Sequence, residues 1–283
     1  MPELPEVETV TRALRPLVLG RRIRDIRRID APAGPKYAGL ERAAGATIDA
    51  VLRRGKFMLL QLSSGDVAVI HLGMTGTLSP DAPIDHERVC LRFADGTPAA
   101  IHFRDPRRFG RFIVAAGGDF SALPTLAALG PEPFDPAFTV GHLAQGLANR
   151  HASIKSLLLG QRIVAGLGNI YADEALWVAG IHPEAPADAV PRKRLAVLHG
   201  AIIDILARAI DARGTTLRDY RDVDGDTGSF GNALAVYGRA GAPCPRCETL
   251  LLATIVAQRT STFCPRCQKP PSAGGRSRRC TGS

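Results

Sequence analysis

Apolar residues recur with a helical period at the start of the chain. Val7, Val10, Leu14 and Leu17 share one face and predict a helix from about Glu6 to Leu19. Pro2 and Pro5 precede it, and Gly20 suits its end. From about Arg21 to Val114 the pattern changes to short strand-like runs at 23–26, 57–62, 67–72, 89–93, 99–103 and 111–114. Turn signals such as Ser64-Gly65-Asp66 and Ala94-Asp95-Gly96 divide them, which predicts an antiparallel sandwich or barrel. The composition shifts at Leu129-Gly130-Pro131-Glu132-Pro133, and this segment reads as a linker. Helical patterns return at 140–147, 154–159, 170–179 and 192–212, while 214–232, rich in Gly, Asp and Thr, reads as a mobile loop. The expected organisation is an α+β multidomain chain. It has an N-terminal antiparallel β-sandwich with flanking helices over 1–130 and a helical domain over 131–232. A cysteine-bearing segment covers 233–268, and 269–283 form a polar, disordered tail.

Composition and charge narrow the partner. With 283 residues, 45% hydrophobic and 22% charged, the chain has enough apolar content for two cores and is not a disordered polyelectrolyte. Lys and Arg number 36 against 27 acids, a net charge of +9, which suits a polyanion and also serves simple solubility. Lysines are few (Lys36, Lys56, Lys155, Lys193 and Lys269), so each one is worth inspecting. No apolar run reaches the ~18 residues of a membrane span, and the acidic opening Met-Pro-Glu-Leu-Pro-Glu lacks the apolar stretch of a secretory signal. A cytoplasmic protein with no membrane partner is therefore expected.

The cysteines carry the sharpest signal. Cys244-Pro-Arg-Cys247 and Cys264-Pro-Arg-Cys267 are separated by sixteen residues. Two such pairs place four thiolates on one tetrahedral Zn2+ and leave no open position, so the metal is structural. The β-rich stretch between the pairs, 250–263, predicts a hairpin closed at its base by zinc and presenting Arg259, whose guanidinium can clamp a phosphate. Cys90 reads as an inert core thiol, and Cys280 lies in the tail.

Four further constellations admit chemical readings beside plain structural ones. Removal of Met1 would leave Pro2 with a secondary amine, partly neutral near pH 7, that can attack a carbonyl-like carbon to give an iminium. Glu3 and Glu6 beside it are candidates for general acid and base, although Pro and acids at this position are also an ordinary helix start. Lys56, entering an apolar strand after Arg53-Arg54-Gly55, reads either as a phosphate- or sugar-directed amine or as a solvated edge lysine. The turns His71-Leu-Gly-Met74-Thr-Gly76 and Asp105-Pro-Arg107-Arg-Phe109-Gly110 offer an apolar wedge and an arginine able to fill a base stack, or merely hairpins with core Met and Phe. Finally, Lys155 lies in one helix, and Gly166-Leu-Gly-Asn169-Ile-Tyr-Ala172 leads into the next. Asn169 there is a good N-cap before phosphate-binding amides, or part of a plain helical hairpin.

Taken in order over about 1–268, these pieces resemble the bacterial formamidopyrimidine-DNA glycosylase family. The most specific are Met-Pro-Glu-Leu-Pro-Glu-Val-Glu-Thr at the start, Asp105–Gly110, Gly166–Ala172 and the cysteine finger with Gln258-Arg259. The resemblance implies a helix-two-turn-helix DNA-binding domain ahead of a β-hairpin zinc finger. It implies a monomeric, nucleoid-associated base-excision-repair enzyme, both glycosylase and abasic-site lyase, acting on duplex DNA with oxidised bases or abasic sites. Pro2 would attack C1′ of 8-oxoguanine or formamidopyrimidine nucleotides and Glu3 would donate a proton. Lys56 would assist β-elimination and Arg259 δ-elimination. His71, Asn169 and Tyr237 would contact phosphates, and His86 and Arg150 would also contact DNA. Met74, Arg107 and Phe109 would fill the vacated base position, and Lys155 matches a lysine linked to handling oxidised guanine. A loop from about Leu217 to Phe230 would cover the extruded base.

Three departures are local. His86-Glu87-Arg88-Val89 stands where the family often shows His-Asp-His-Val, Arg150 replaces a frequent lysine and Gly55 a frequent alanine. Leu4-Pro5 favours this branch over an endonuclease VIII-type enzyme for oxidised pyrimidines. The intact Pro2-Glu3 pair argues against a non-catalytic zinc-finger binder of damaged DNA.

Overall fold

The structure is a computed structural model describing residues 2–83, 85–215, 223, 225 and 228–269. In chain order, α1 spans Leu4–Val18, followed by strands β1 Ile23–Arg28, β2 Ile48–Arg54, β3 Phe57–Leu62, β4 Val67–His71, β5 Thr77–Ser79, β6 Glu87–Phe93, β7 Ala100–Arg104 and β8 Arg111–Ala115. Then come α2 Pro124–Ala127, α3 Val140–Leu147, α4 Ile154–Leu159, α5 Asn169–Ala179 and α6 Arg192–Asp211, and the hairpin β9 Leu252–Val256 and β10 Arg259–Phe263. The chain folds as two compact units. One comprises Met1–Phe138, Gln161–Gly168 and Ile203–Leu234, and the other Thr139–Gly160, Asn169–Ile202 and Ala235–Ser283.

The first unit is an antiparallel β-sandwich of two four-stranded sheets, ordered β1-β6-β7-β5 and β2-β3-β4-β8. Alternate side chains of both sheets point into one core, among them Val89, Leu91 and Phe93 from β6 and Met58, Leu60 and Leu62 from β3. Val7, Val10, Leu14 and Val18 of α1 complete it. The helix begins at Leu4, two residues ahead of the sequence reading, because Glu3 caps it: the Glu6 carboxylate accepts the Glu3 amide at 2.8 Å. It ends as expected, with Gly20 in the left-handed region at φ 75°.

Two strands escaped the periodicity. In β2 a register shift between Ile48 and Ala50 lets Ile48 and Val51 share the buried face although they are three residues apart, so neither a period of two nor a helical stripe shows. β5 has three residues, too few for a pattern. The segment 129–133 is not a free linker. Gly55 N and the Arg54 guanidinium both donate to Glu132 Oε1, at 2.7 and 2.8 Å, and Arg53 reaches Oε2 at 2.5 Å. Burial opposes the charge on Glu132, but Arg53 and Arg54 outweigh it and hold the carboxyl below the usual range. The turn before Lys56 is thereby fixed to the chain that follows the sandwich.

In the second unit α3 and α4 match the sequence reading residue for residue, and each is capped by the hydroxyl of its preceding residue, Thr139 and Ser153. Trp177 of α5 packs on a small core of Val236, Cys244, Leu251 and Cys264, so the finger and this helix share apolar contacts. Most of the expected loop over 217–230, the tail from 270 and Cys280 lie outside the described residues. Cys90 is buried, and desolvation pushes its thiol up to about 11, in keeping with an inert role. No described helix is long and apolar enough to cross a membrane.

Candidate functional site

In the sandwich unit the first cluster forms at the chain start. Pro2, Glu3 and Glu6 are all buried. The Glu3 carboxylate accepts the Gly168 amide at 2.7 Å. Lys56, 4% exposed, reaches the same point: a methyl group placed on Gly168 would stand 2.4 Å from the Glu3 carboxyl carbon and 2.6 Å from Lys56 Nζ. Glycine is therefore required at 168 so that an acid and an amine can meet against bare backbone. Glu6 has a different role from the one its sequence position suggested. Its two oxygens take the amides of Glu3 and Thr215, at 2.8 and 2.7 Å, so it holds backbone together and is not a second acid-base group.

His71 ends β4, with its ring 4.7 Å from that of Phe57 on β3. Burial, then the charges of Lys56 and Arg111, hold its imidazole down to about 4, so it is neutral at physiological pH. The Gly73 amide donates to Nδ1 at 3.2 Å, which leaves the proton on Nε2 as a hydrogen-bond donor. The unfolded chain takes up this proton first on acidification, so His71 withdraws stability as the pH falls from about 6.5 toward 4. In a proton NMR titration the His71 ring signals should stay flat above about pH 5. A midpoint near 6.5 would contradict the neutral-donor assignment.

The second cluster is built by two facing turns. Met74 is 37% and Phe109 49% exposed, so neither is a core side chain. The Arg107 guanidinium lies 4.8 Å from the Phe109 ring centroid, a cation–π pair. Asp105, fully buried, joins the turns: its carboxylate accepts from Thr75 Oγ1 at 2.9 Å and from Gly110 N at 2.7 Å. Close packing of the turns demands glycine, since a methyl on Gly73 would stand 2.5 Å from Gly110 N. His86 borders this cluster with its side chain 44% exposed. Asp105 was quoted within a motif but given no role from the sequence, because a buried aspartate beside proline looks like any turn residue.

In the helical unit the four cysteine sulfurs lie within 4.8 Å of one another, with Cys247 Sγ 3.4 Å from Cys264 Sγ and 3.5 Å from Cys267 Sγ. A tetrahedron with Zn–S bonds of about 2.3 Å has edges of about 3.8 Å, so the cage fits zinc and the expected ligand set stands. Gln268 locks its base, taking the Cys264 amide on Oε1 at 2.8 Å and donating to the Ile181 carbonyl at 2.8 Å. Ala257 and Gln258 at the hairpin tip both have positive φ, 48° and 60°, giving a tight two-residue turn that leaves Arg259 exposed at the start of β10.

Lys155 corrects the sequence reading. It is fully buried and cannot touch DNA in this arrangement. Its ammonium lies 2.6 Å from Asp173, whose carboxylate also takes Ser261 Oγ at 2.7 Å and Thr262 N at 2.9 Å. Lys155 thus holds the hairpin through Asp173. The Asn169 side-chain amide also serves the hairpin, donating to the Thr260 carbonyl at 3.0 Å. Tyr237 is positioned by Glu174, which collects the amides of Ala235, Val236 and Tyr237 at 2.8–2.9 Å. Arg150 is exposed just after α3. Asp173 and Glu174 had no signal in the sequence beyond two adjacent acids inside an otherwise apolar helix.

Comparison with known proteins agrees with this layout. Residues 1–112 match the formamidopyrimidine-DNA glycosylase N-terminal domain, 129–221 the H2TH domain of the same enzymes, and 241–270 a zinc finger found in FPG and IleRS. A formamidopyrimidine-DNA glycosylase of Enterococcus faecalis is 44% identical over 95% of this chain and 98% of its own length. The crystal structure of the MutM (Fpg) protein from Thermus thermophilus superposes with a TM-score of 0.88 at 43% identity, covering 95% of this chain and all of that one. A Lactococcus lactis Fpg in complex with DNA containing an abasic site gives 0.82 at 35% identity, again covering 95% of this chain and all of the other. The chain belongs to the formamidopyrimidine-DNA glycosylase family.

Proposed function

We propose that this protein is a bifunctional base-excision-repair enzyme, a glycosylase and abasic-site lyase that removes oxidised purines from duplex DNA. The observation that supports it most is the meeting at Gly168 of the Lys56 amine and the buried carboxylate of Glu3, the residue after Pro2. In this reading the neutral Pro2 nitrogen bonds to C1′ and the C1′–base bond breaks, the Pro2 N–H proton passing to the departing base; Glu3 protonates the sugar ring oxygen as the C1′–O4′ bond opens, which leaves the iminium. The resulting iminium acidifies the C2′ proton, whose loss expels the 3′ phosphate; a second elimination expels the 5′ phosphate. Lys56 assists the first elimination and Arg259 the second. His71 offers its Nε2–H to a phosphate, and Asn169, Tyr237, His86 and Arg150 make further DNA contacts. Met74, Arg107 and Phe109 fill the space of the extruded base. Zinc supplies no chemistry beyond fixing the hairpin. The division into a catalytic domain over 1–130, a helix-two-turn-helix domain over 131–232 and a finger over 233–268 belongs to this reading, as does action by a monomer at the bacterial nucleoid.

The test is excision from two duplexes, 8-oxoguanine opposite cytosine and thymine glycol opposite adenine. The purine lesion should be cut faster, leaving phosphate on both sides of the gap. Preference for thymine glycol would overturn the assigned substrate class.

A further inference from the structure

Arg88 is the largest fully buried side chain among the described residues, and none of the chemistry above uses it. It occupies a bulge in β6: Glu87 pairs with Arg104 and Val89 with Phe103, so Arg88 is the extra residue and its side chain turns inward. A buried guanidinium is costly unless every donor is met. Here all five N–H groups have an acceptor. Nε donates to the Asp105 carbonyl at 2.9 Å, Nη1 to the Asp30 carboxylate and carbonyl, and Nη2 faces the Pro106 carbonyl and His86 Nδ1, each at 3.5 Å. The backbone reinforces the same junction, with Asp105 N donating to the His86 carbonyl at 3.1 Å and Arg108 N to the Asp105 carbonyl at 3.3 Å.

We infer that Arg88 is a positioning residue for base extrusion, holding His86 and the Asp105–Phe109 turn as one rigid body. The inference rests on the proposed glycosylase function. Two consequences follow from the geometry. The turn bearing Arg107 and Phe109 is gripped from both sides of Asp105, by Arg88 on its carbonyl and by Thr75 and Gly110 on its carboxylate. In His86, Nδ1 faces Arg88 Nη2 at 3.5 Å and Nε2 lies 3.4 Å from the Asp85 carboxylate, so the ring is held from both sides. A histidine or lysine at 88 cannot repeat this, since neither has five donors in a planar fork.

Extrusion matters for excising a base and little for cutting a site that has already lost it. The experiment compares wild type, Arg88→Met and Arg88→Lys in single-turnover assays on two duplexes. One carries 8-oxoguanine opposite cytosine and the other a preformed abasic site opposite cytosine; thermal unfolding is followed in parallel. In Arg88→Met, 8-oxoguanine excision should fall roughly 100-fold, the cost of misplacing a site by about an ångström. Cleavage at the abasic site should change less than about threefold, and Arg88→Lys should recover only part of the excision. Asp30→Asn, which leaves the core side chain in place, should shift the two rates in the same sense by a smaller factor. If Arg88→Met loses both rates equally or keeps both, Arg88 is only a packing residue. If Arg88→Met does not fold, the two rates of Arg88→Lys and Asp30→Asn decide by the same criterion. Wild type inactive on both duplexes would instead remove the glycosylase reading itself.

Discussion

Replacing Pro2 by glycine should lower base excision by about two orders of magnitude or more while DNA affinity changes little. Glycine at position 2 still allows Met1 to be removed and leaves an α-amine, so the nucleophile is altered and not deleted. What is lost is the secondary amine, whose adduct is a permanent cation, and the ring that fixes the nitrogen beside the helix start. Misplacing a reacting atom by about 1 Å costs roughly 100-fold. The buried surroundings leave little room for compensation, because Glu3 is tied to Gly168 N at 2.7 Å and Leu4 N to the Gly166 carbonyl at 3.1 Å. Single-turnover excision of 8-oxoguanine measures the effect, with a filter-binding isotherm on uncleavable duplex as the control. Equal activity in the variant would show that the amine of residue 2 is not the attacking group. The rate should also rise with pH through about 8, as an α-amine with a pKa near 7.7–8.0 loses its proton.

Removing zinc should abolish most strand cleavage and weaken DNA binding by roughly 10- to 100-fold, about the worth of one bidentate, charge-assisted phosphate contact. The finger's own core is small, four buried residues of which two are the ligands Cys244 and Cys264. Structural zinc contributes about 10 kcal/mol or more to the folding of such elements, far beyond what so little apolar surface supplies. Arg259, exposed beside a two-residue tip, would then lose its fixed direction. A chelator with metal analysis before and after, followed by binding and cleavage assays, measures this. Cleavage surviving full removal of the metal would mean that the Asp173 clamp on Ser261 and Thr262 suffices to hold the hairpin.

The sequence revealed its chemistry better than its polar scaffolding. Two Cys-x-x-Cys pairs sixteen residues apart point to one tetrahedral metal, and the sulfur cage fits it. Helices α3 and α4 were legible to the residue because side-chain caps and apolar stripes coincide there. β2 was not, because a bulge moves one side chain and erases the alternation. The larger omissions are charged residues with backbone partners, the buried Asp105, Asp173 and Glu174 and the half-buried Glu132. Each is read as polar and therefore exposed, and its value lies in amides or hydroxyls supplied by a distant segment. Lys155 shows the same limit from the other side: rarity drew attention to it, but only the structure reveals that its charge faces Asp173 and not solvent. Glu6 was legible as an acid near the amine and illegible as a clasp on Thr215, 209 residues away.

The central claim is that covalent chemistry begins at the nitrogen of Pro2. Borohydride reduction during reaction with an 8-oxoguanine duplex, followed by peptide mapping of the trapped adduct, tests it most directly. The account predicts one protein–DNA adduct, on an N-terminal peptide that begins at Pro2 with Met1 absent. An adduct on Lys56 or another lysine, or full cleavage by protein that retains Met1, would contradict it.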